Sequence, residues 1–94
     1  MEDLLNKISL KLNAKFSNAI ISSELLYDFP VFTINSANIH DVIRFLKEDE
    51  ELNFHFLTDL TGAQTADEKQ LSVIYHLHNM PKNWRVRVKT YFDI

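Results

Sequence analysis

Two histidines lie two residues apart, and a run of basic and aromatic residues follows them. His76 and His78 have a spacing that places two imidazoles on the same side of a β-strand, where they can bind a metal ion. A third ligand is not evident, and the arginines that follow would repel a cation. We therefore predict no metal site and assign both histidines to a sheet face that contacts solvent or another protein.

The sequence lacks the residues that most catalytic mechanisms need. It contains no Cys, which excludes thiol catalysis, disulfides and thiolate-bound zinc or iron–sulfur clusters. Asp59 can act as a general base only beside a positioned partner in a pocket, and the pattern shows neither. Gly62 is the only Gly, so there is no glycine-rich phosphate loop. We predict that the chain carries no catalytic residues and binds no cofactor.

Basic and aromatic residues near the C-terminus form the best candidate binding surface. They are Trp84, Arg85, Arg87, Lys89 and Tyr91. Arginine and aromatic side chains are typical anchors of protein interfaces. Basic β-surfaces with aromatic rings also bind single-stranded nucleic acid, although a net charge of −3 argues against a general nucleic-acid binder. Exposure to solvent is the third alternative, and the residues alone leave all three open.

These residues belong to two alternating segments that predict an antiparallel hairpin at the C-terminus. Residues 71–77 and 84–92 both alternate with a period of two. Opposite residues in such a pair point to the same side, so pairing Asn79 with Trp84 sets the register and leaves a four-residue loop. One face is apolar, with Leu77 beside Val86, Tyr75 beside Val88 and Leu71 beside Phe92. The other is basic, with His78 beside Arg85, His76 beside Arg87, Ile74 beside Lys89 and Ser72 beside Tyr91.

The remaining segments predict an α+β domain. Apolar spacing predicts helices over residues 2–13 and 39–46, the second capped at Ser36 or Asn38. Residues 19–21, 27–34 and 54–64 are predicted to be strands. The order α-β-β-α-β-β-β gives a two-layer α/β sandwich, with both helices on one face of a mixed sheet. The predicted core is Leu5, Ile8, Leu12, Ile20, Val31, Ile39, Val42, Leu46, Phe56, Val73, Tyr75, Leu77, Val86 and Val88.

Three stretches resemble one family. Residues 56–61 read FLTDLT, residues 73–77 read VIYHL and residues 85–91 read RVRVKTY. In this order and spacing they resemble the thirty-kilodalton subunit of the proton-pumping NADH–quinone oxidoreductase, respiratory complex I. The resemblance runs from about Val31 to the C-terminus and concerns the N-terminal part of that subunit. We expect residues 1–94 to form a single domain of this kind.

The resemblance implies a structural role rather than a catalytic one. Family members carry no flavin, cluster or quinone ligand, and they pack against the large hydrogenase-like subunit in the peripheral arm. By this resemblance the basic side of the predicted hairpin would contact other complex I subunits. The chain would bind no nucleic acid and would not insert into the membrane. The location would be cytoplasmic, peripheral on the inner face of the cell membrane. A nucleic-acid-binding module and a diverged stand-alone interaction domain remain the alternatives.

The sequence departs from the family pattern at several positions. Ser72 and Gln64 stand where members usually have acidic residues, and Lys82 stands in for a basic residue that is usual near Pro81. Members also continue past the position of Ile94 into a long segment rich in acidic, Arg and Trp residues. The sequence leaves open whether that segment was removed, lies on another chain or is lacking in a stand-alone domain. No apolar run has the length of a membrane span, and no secretory signal or transit peptide is visible.

Overall fold

The computed structural model describes residues 2–26, 29–64 and 69–93. Two α-helices and five β-strands follow one another in the predicted order α-β-β-α-β-β-β, with a short 3-10 turn ahead of the second helix. The elements are α1 (Glu2–Lys15), β1 (Ile20–Leu26), β2 (Phe29–Ile34), the 3-10 turn (Ser36–Asn38), α2 (Ile39–Glu48), β3 (Phe56–Gln64), β4 (Gln70–Asn79) and β5 (Trp84–Asp93). No helix in these ranges is long and apolar enough to cross a membrane.

The five strands form one mixed sheet in the order β1-β2-β5-β4-β3. β2 and β5 run parallel at its centre, and the other neighbouring strands run antiparallel. The two N-terminal strands therefore meet the C-terminal hairpin through the central pair, in which Phe32 lies beside Val88. This arrangement confirms the predicted mixed sheet and the two-layer α+β class.

Both helices pack on the same side of the sheet, which we call the inner face; the opposite side is the outer face. Each helix turns an apolar stripe inward because residues three or four apart share one side of a helix. Leu4, Ile8 and Leu12 are the buried residues of the first stripe. The buried core also contains Ala19, Phe32, Ile34, Ile39, Val42, Leu46, Leu52, Phe54, Leu77, Val86 and Val88.

The C-terminal hairpin has the predicted register at every position. Asn79 pairs with Trp84, and each cross-strand neighbour named from the alternation is found in its place. Val86 and Val88 are buried on the inner face, while Arg85 and Arg87 lie on the outer face. The loop of residues 80–83 ends at Asn83, whose φ of 55° is in the left-handed region. The His78 Nε2 and the Asn83 side-chain oxygen are 3.2 Å apart, which links the loop to β4.

The predictions for the first two strands were only partly correct. β1 extends to Leu26 because its polar middle pairs along the whole of β2, where composition gave no strand signal. Val31 is buried but lies outside the core cluster, beside Arg87 on the outer face. Phe32 and Ile34 occupy the inner face instead. The predicted start of this strand at residue 27 lies outside the described residues.

β3 begins at Phe56 rather than at the predicted residue 54, and the strand contains a register shift between Leu57 and Asp59. Leu57 pairs with Leu77 and is 47% exposed at the sheet edge. The backbone of Phe56 pairs with His78, and its predicted core side chain lies outside what the structure describes. Leu52 and Phe54, which are absent from the predicted core, precede the strand and are fully buried.

Some predicted core residues are only partly buried. Leu5, Ile20 and Tyr75 pack against the edge of the core, whereas Val73 is half-buried without joining it. In contrast, Thr90 is fully buried, and its hydroxyl donates a 2.8 Å hydrogen bond to the Ile34 carbonyl. The parallel central pair is thus joined by a side chain as well as by its backbone ladder.

Four charged residues, which we call the ion cluster, tie α1 to the segment after α2. Lys7 lies 2.6 Å from Glu51, and Lys11 lies 3.2 Å from both Asp49 and Glu51. Hydrogen bonds from Lys7 and then Lys11 lower the pKa of Glu51, and hydrogen bonds to Asp49 and then Glu51 raise the pKa of Lys11. The cluster joins elements that are far apart in the sequence.

Candidate protein-binding surface on the outer face

Four of the five predicted site residues share the outer face. Alternation along β5 places Arg85, Arg87, Lys89 and Tyr91 on this side, and β4 contributes His76 and His78 beside the two arginines. We call Arg85, Arg87, Lys89, His76 and His78 the basic face. Alternate residues of a strand are about 6.6 Å apart and directly opposed residues about 5 Å. The nitrogen-bearing side chains of the basic face therefore start from backbone positions about 5 to 7 Å apart.

Trp84, the fifth predicted site residue, lies on the inner face. It occupies the same side of β5 as Val86, and it packs half-buried against the core. The ammonium groups of Lys7 and Lys82 lie 5.5 Å and 4.6 Å from its ring centroid. The alternation of the strand already implied this separation. The basic face consequently has no tryptophan on which a nucleic-acid base could stack.

Arg87 is held in place by a residue that the sequence analysis did not select. Its guanidinium lies 5.2 Å from the centroid of the Phe29 ring, which is a cation–π distance. Phe29 belongs to β2, which reaches β5 only through the parallel pairing at the centre of the sheet. No local pattern in the sequence indicates that pairing. The Nε of Arg87 is buried, and no described residue accepts a hydrogen bond from it.

A depression of about 390 Å³ opens on the outer face next to Arg87. We call it the outer-face notch. It is lined by Phe29, His76, Leu77, His78, Arg85, Val86 and Arg87, and Leu77 and Val86 belong to the strands on which the other hairpin residues stand. His78 is buried, whereas Arg85 is exposed and its guanidinium can move to meet a ligand. The notch thus combines one aromatic ring with four nitrogen-bearing side chains.

The described ion pairs lie away from three cations of the basic face, Arg85, Arg87 and Lys89. The ion pairs in this part of the chain join Lys7 and Lys11 to the ion cluster and Arg44 to Glu48. None involves Arg85, Arg87 or Lys89. Guanidinium groups with free donors bind carboxylates in two-pronged hydrogen bonds. The arrangement is therefore suited to contact with an acidic surface.

The histidines do not form a metal centre within the described ranges. No three His, Asp or Glu side chains come together there as ligands. His76 and His78 instead lie directly opposite Arg87 and Arg85. A cation at this position would face two positive charges, so the chemistry of the notch favours an anion.

Comparisons of the sequence point to one family. A family model described as "Respiratory-chain NADH dehydrogenase, 30 Kd subunit" matches residues 32–94. An NADH-quinone oxidoreductase subunit of Xanthobacter autotrophicus is 32% identical over 94 residues, which are 99% of this chain and 45% of that protein. The subunit of the same name from Citrifermentans bemidjiense is 32% identical over 85 residues, with 89% of this chain and 52% of that protein covered. The chain thus spans about half the length of these relatives.

A comparison of structures finds the same fold in a respiratory assembly. A chain from the membrane-bound sulfane sulfur reductase, described as an archaeal respiratory membrane complex, superposes with a TM-score of 0.74. The match covers 94% of this chain and 49% of the other, at 22% sequence identity. At that identity the likeness establishes a shared fold.

Proposed function

Because the chain belongs to the family of the 30 Kd subunit of respiratory-chain NADH dehydrogenase, we propose that it is a non-catalytic structural component of the peripheral arm of a proton-pumping NADH–quinone oxidoreductase. Its work would be assembly: a closed inner core leaves the outer face available to neighbouring subunits. The single observation that supports this most directly is a family match over residues 32–94, which includes the whole C-terminal hairpin.

The proposed partner is the large hydrogenase-like subunit, and the proposed contact is the basic face. Arg85 and Lys89 project from the outer side of β5, and the described acidic residues form no ion pair with them. An acidic partner surface would match their charge and fix the orientation of docking. Attachment through such a partner would hold the chain at the inner side of the cell membrane without a membrane span of its own.

Native electrophoresis tests this proposal. Tagged wild-type protein should co-migrate with NADH–quinone oxidoreductase activity when native membranes are solubilised in mild detergent. Combined Arg85→Glu and Arg87→Glu substitutions should release it, because repulsion replaces attraction across the interface. The matched control reverses two exposed charges on α2, with Arg44→Glu and Lys47→Glu, and should co-migrate like the wild type.

Two outcomes would contradict different parts of the proposal. Wild-type protein recovered only as a free species would contradict membership of the complex. Co-migration of the Arg85 and Arg87 double variant at the wild-type level would leave membership intact and show that docking uses another surface. Circular dichroism of the Arg85 and Arg87 double variant should match the wild type, because both side chains lie on the outer face, away from the core. The Arg44 and Lys47 control should match it as well, because both residues are exposed.

A further inference from the structure

We propose that the outer-face notch is a binding site for two carboxylates on an acidic segment of a protein partner. This inference rests on the proposed function and gives its interface a specific chemistry. The notch residues Phe29, His76, His78, Arg85 and Arg87 receive the segment. Lys89 lies on the same strand face but does not line the notch.

The spacing of the basic side chains suits two acidic groups. Arg85 and Arg87 stand about 6.6 Å apart along the strand. Acidic residues three or four apart on a helix, or two apart on a strand, present their side chains at about 5 to 7 Å. One carboxylate meets Arg87 and the second meets Arg85, since both guanidinium groups project from the same face of β5.

The buried nitrogen of Arg87 is the clearest sign that an acceptor belongs here. Its Nε is shielded from solvent and lacks a hydrogen-bond partner among the described residues. A buried donor without an acceptor costs about 1–3 kcal/mol, and more when it is charged. A carboxylate in the notch would remove this cost. Contact with Phe29 at 5.2 Å already holds the guanidinium, so less side-chain freedom is lost on binding.

The rest of the molecule favours a protein carboxylate over a nucleic-acid phosphate. The net charge of −3 repels a long polyanion, whereas a short acidic segment feels mainly the local positive charge. Trp84, the residue best able to stack on a base, is on the other side of the sheet. Phe29 gives the notch an apolar wall that can contact the aliphatic part of a Glu side chain.

Single substitutions in the native assembly test the notch itself. Arg87→Gln should reduce co-migration with the complex roughly 10-fold or more, because the partner's carboxylate would lose its charged hydrogen-bond donor in a contact shielded from water. Arg87→Lys should restore only part of it, since lysine keeps the charge but loses the planar fork. Lys47→Gln is the control: it makes the same loss of one positive charge at an exposed site on α2, outside the basic face, and should stay within about twofold of wild type.

Retention of Arg87→Gln at the level of Lys47→Gln and the wild type would contradict the proposed notch site and leave the proposed function standing. Equal losses in Arg87→Gln and Lys47→Gln would also contradict the notch site, because general electrostatic attraction would then explain docking. If wild-type protein does not co-migrate at all, the proposed function fails. A second measurement then tests independently whether the notch binds carboxylates.

That second measurement is nuclear magnetic resonance of the arginine Nε–H groups in the ¹⁵N-labelled chain. A blocked peptide with two Glu four residues apart should shift the Arg87 and Arg85 signals saturably, while a peptide with Gln in their place should not. Unchanged signals with the Glu peptide would overturn the inference. Shifts caused by single-stranded oligonucleotide but not by the peptide would overturn it in favour of nucleic acid.

Discussion

At the scale of single residues, the ion cluster is the part of the molecule whose behaviour depends most on conditions. Lys7, Lys11, Asp49 and Glu51 join α1 to the segment after α2. Exposed ion pairs contribute little individually, and salt screens them. Their value here is positional, since they fix the chain just ahead of the buried residues Leu52 and Phe54.

Glu51→Gln should lower the urea midpoint slightly at neutral pH, where Glu51 is ionised and paired. Because the pKa of Glu51 lies below its ordinary value of 4.5, its contribution is complete well above 4.5 and is lost as pH falls through the folded-state pKa. The difference between wild type and variant should therefore vanish in acid. Lys11, whose pKa is raised from 10.5, loses its contribution only as pH rises above that value.

Glu50→Gln is the control, because Glu50 is exposed and the described residues give it no ion pair. Added salt should reduce the Glu51→Gln effect and leave the Glu50→Gln midpoint unchanged relative to wild type. A Glu51→Gln difference that persists or grows in strong acid would contradict the assigned role.

At the scale of elements, the C-terminal hairpin could be derived entirely from the sequence, and its neighbours could not. Strict alternation on both sides of a short loop leaves one register that places Leu77, Val86 and Val88 together on the inner face. In β2 the apolar residues Val31 and Phe32 are adjacent, so alternation does not say which one faces the helices. In β3 the shift after Leu57 exchanges the faces partway along the strand.

In the candidate site, too, some residues follow from local alternation and one depends on a long-range strand pairing. Four basic and aromatic positions follow directly from alternation in β5, and that alternation also separates Trp84 from them. Phe29 could not be found in this way, because its contact with Arg87 depends on the parallel pairing of β2 with β5. That pairing joins residues that are far apart in the sequence, and no short-range pattern encodes it.

Asn83→Ala should destabilise the hairpin by about 1 kcal/mol or more, because a φ of 55° brings a β-carbon too close to the following carbonyl and Asn tolerates this better than Ala. Asn83→Gly keeps the turn conformation but also removes the contact with His78. The free energies of unfolding of the two variants, measured in urea, should thus separate backbone strain from the lost hydrogen bond. A less stable Gly variant than Ala variant would contradict the role given to the backbone.

At the scale of the whole molecule, one buried cluster contains residues from both helices and from strands β2, β4 and β5. A single core of this kind predicts that the chain unfolds cooperatively. The sole tryptophan, Trp84, lies where α1 meets the C-terminal hairpin. Its fluorescence therefore reports the packing of the helix layer against the sheet, while circular dichroism reports the strands and helices themselves.

Phe32→Ala should cost roughly 3–5 kcal/mol, a large part of the 5–15 kcal/mol that stabilises a typical domain, because it opens a cavity at the centre of the core. Val31→Ala, the adjacent buried residue on the outer face, should cost only about 2 kcal/mol. Tryptophan fluorescence and circular dichroism should give the same urea transition for each variant. Separate transitions would show that the helix layer and the sheet are independent units.

The parallel contact between β2 and β5 also constrains the order of events during synthesis. The first four strands leave the ribosome before β5, yet their sheet order leaves a gap that only β5 fills. Until β5 has left the ribosome, the β1–β2 hairpin and then the β3–β4 hairpin each expose an unpaired strand edge. Such borders promote association with other nascent chains. A longer delay before β5 leaves the ribosome would lengthen that exposure, so chaperone dependence should increase with the length of this delay.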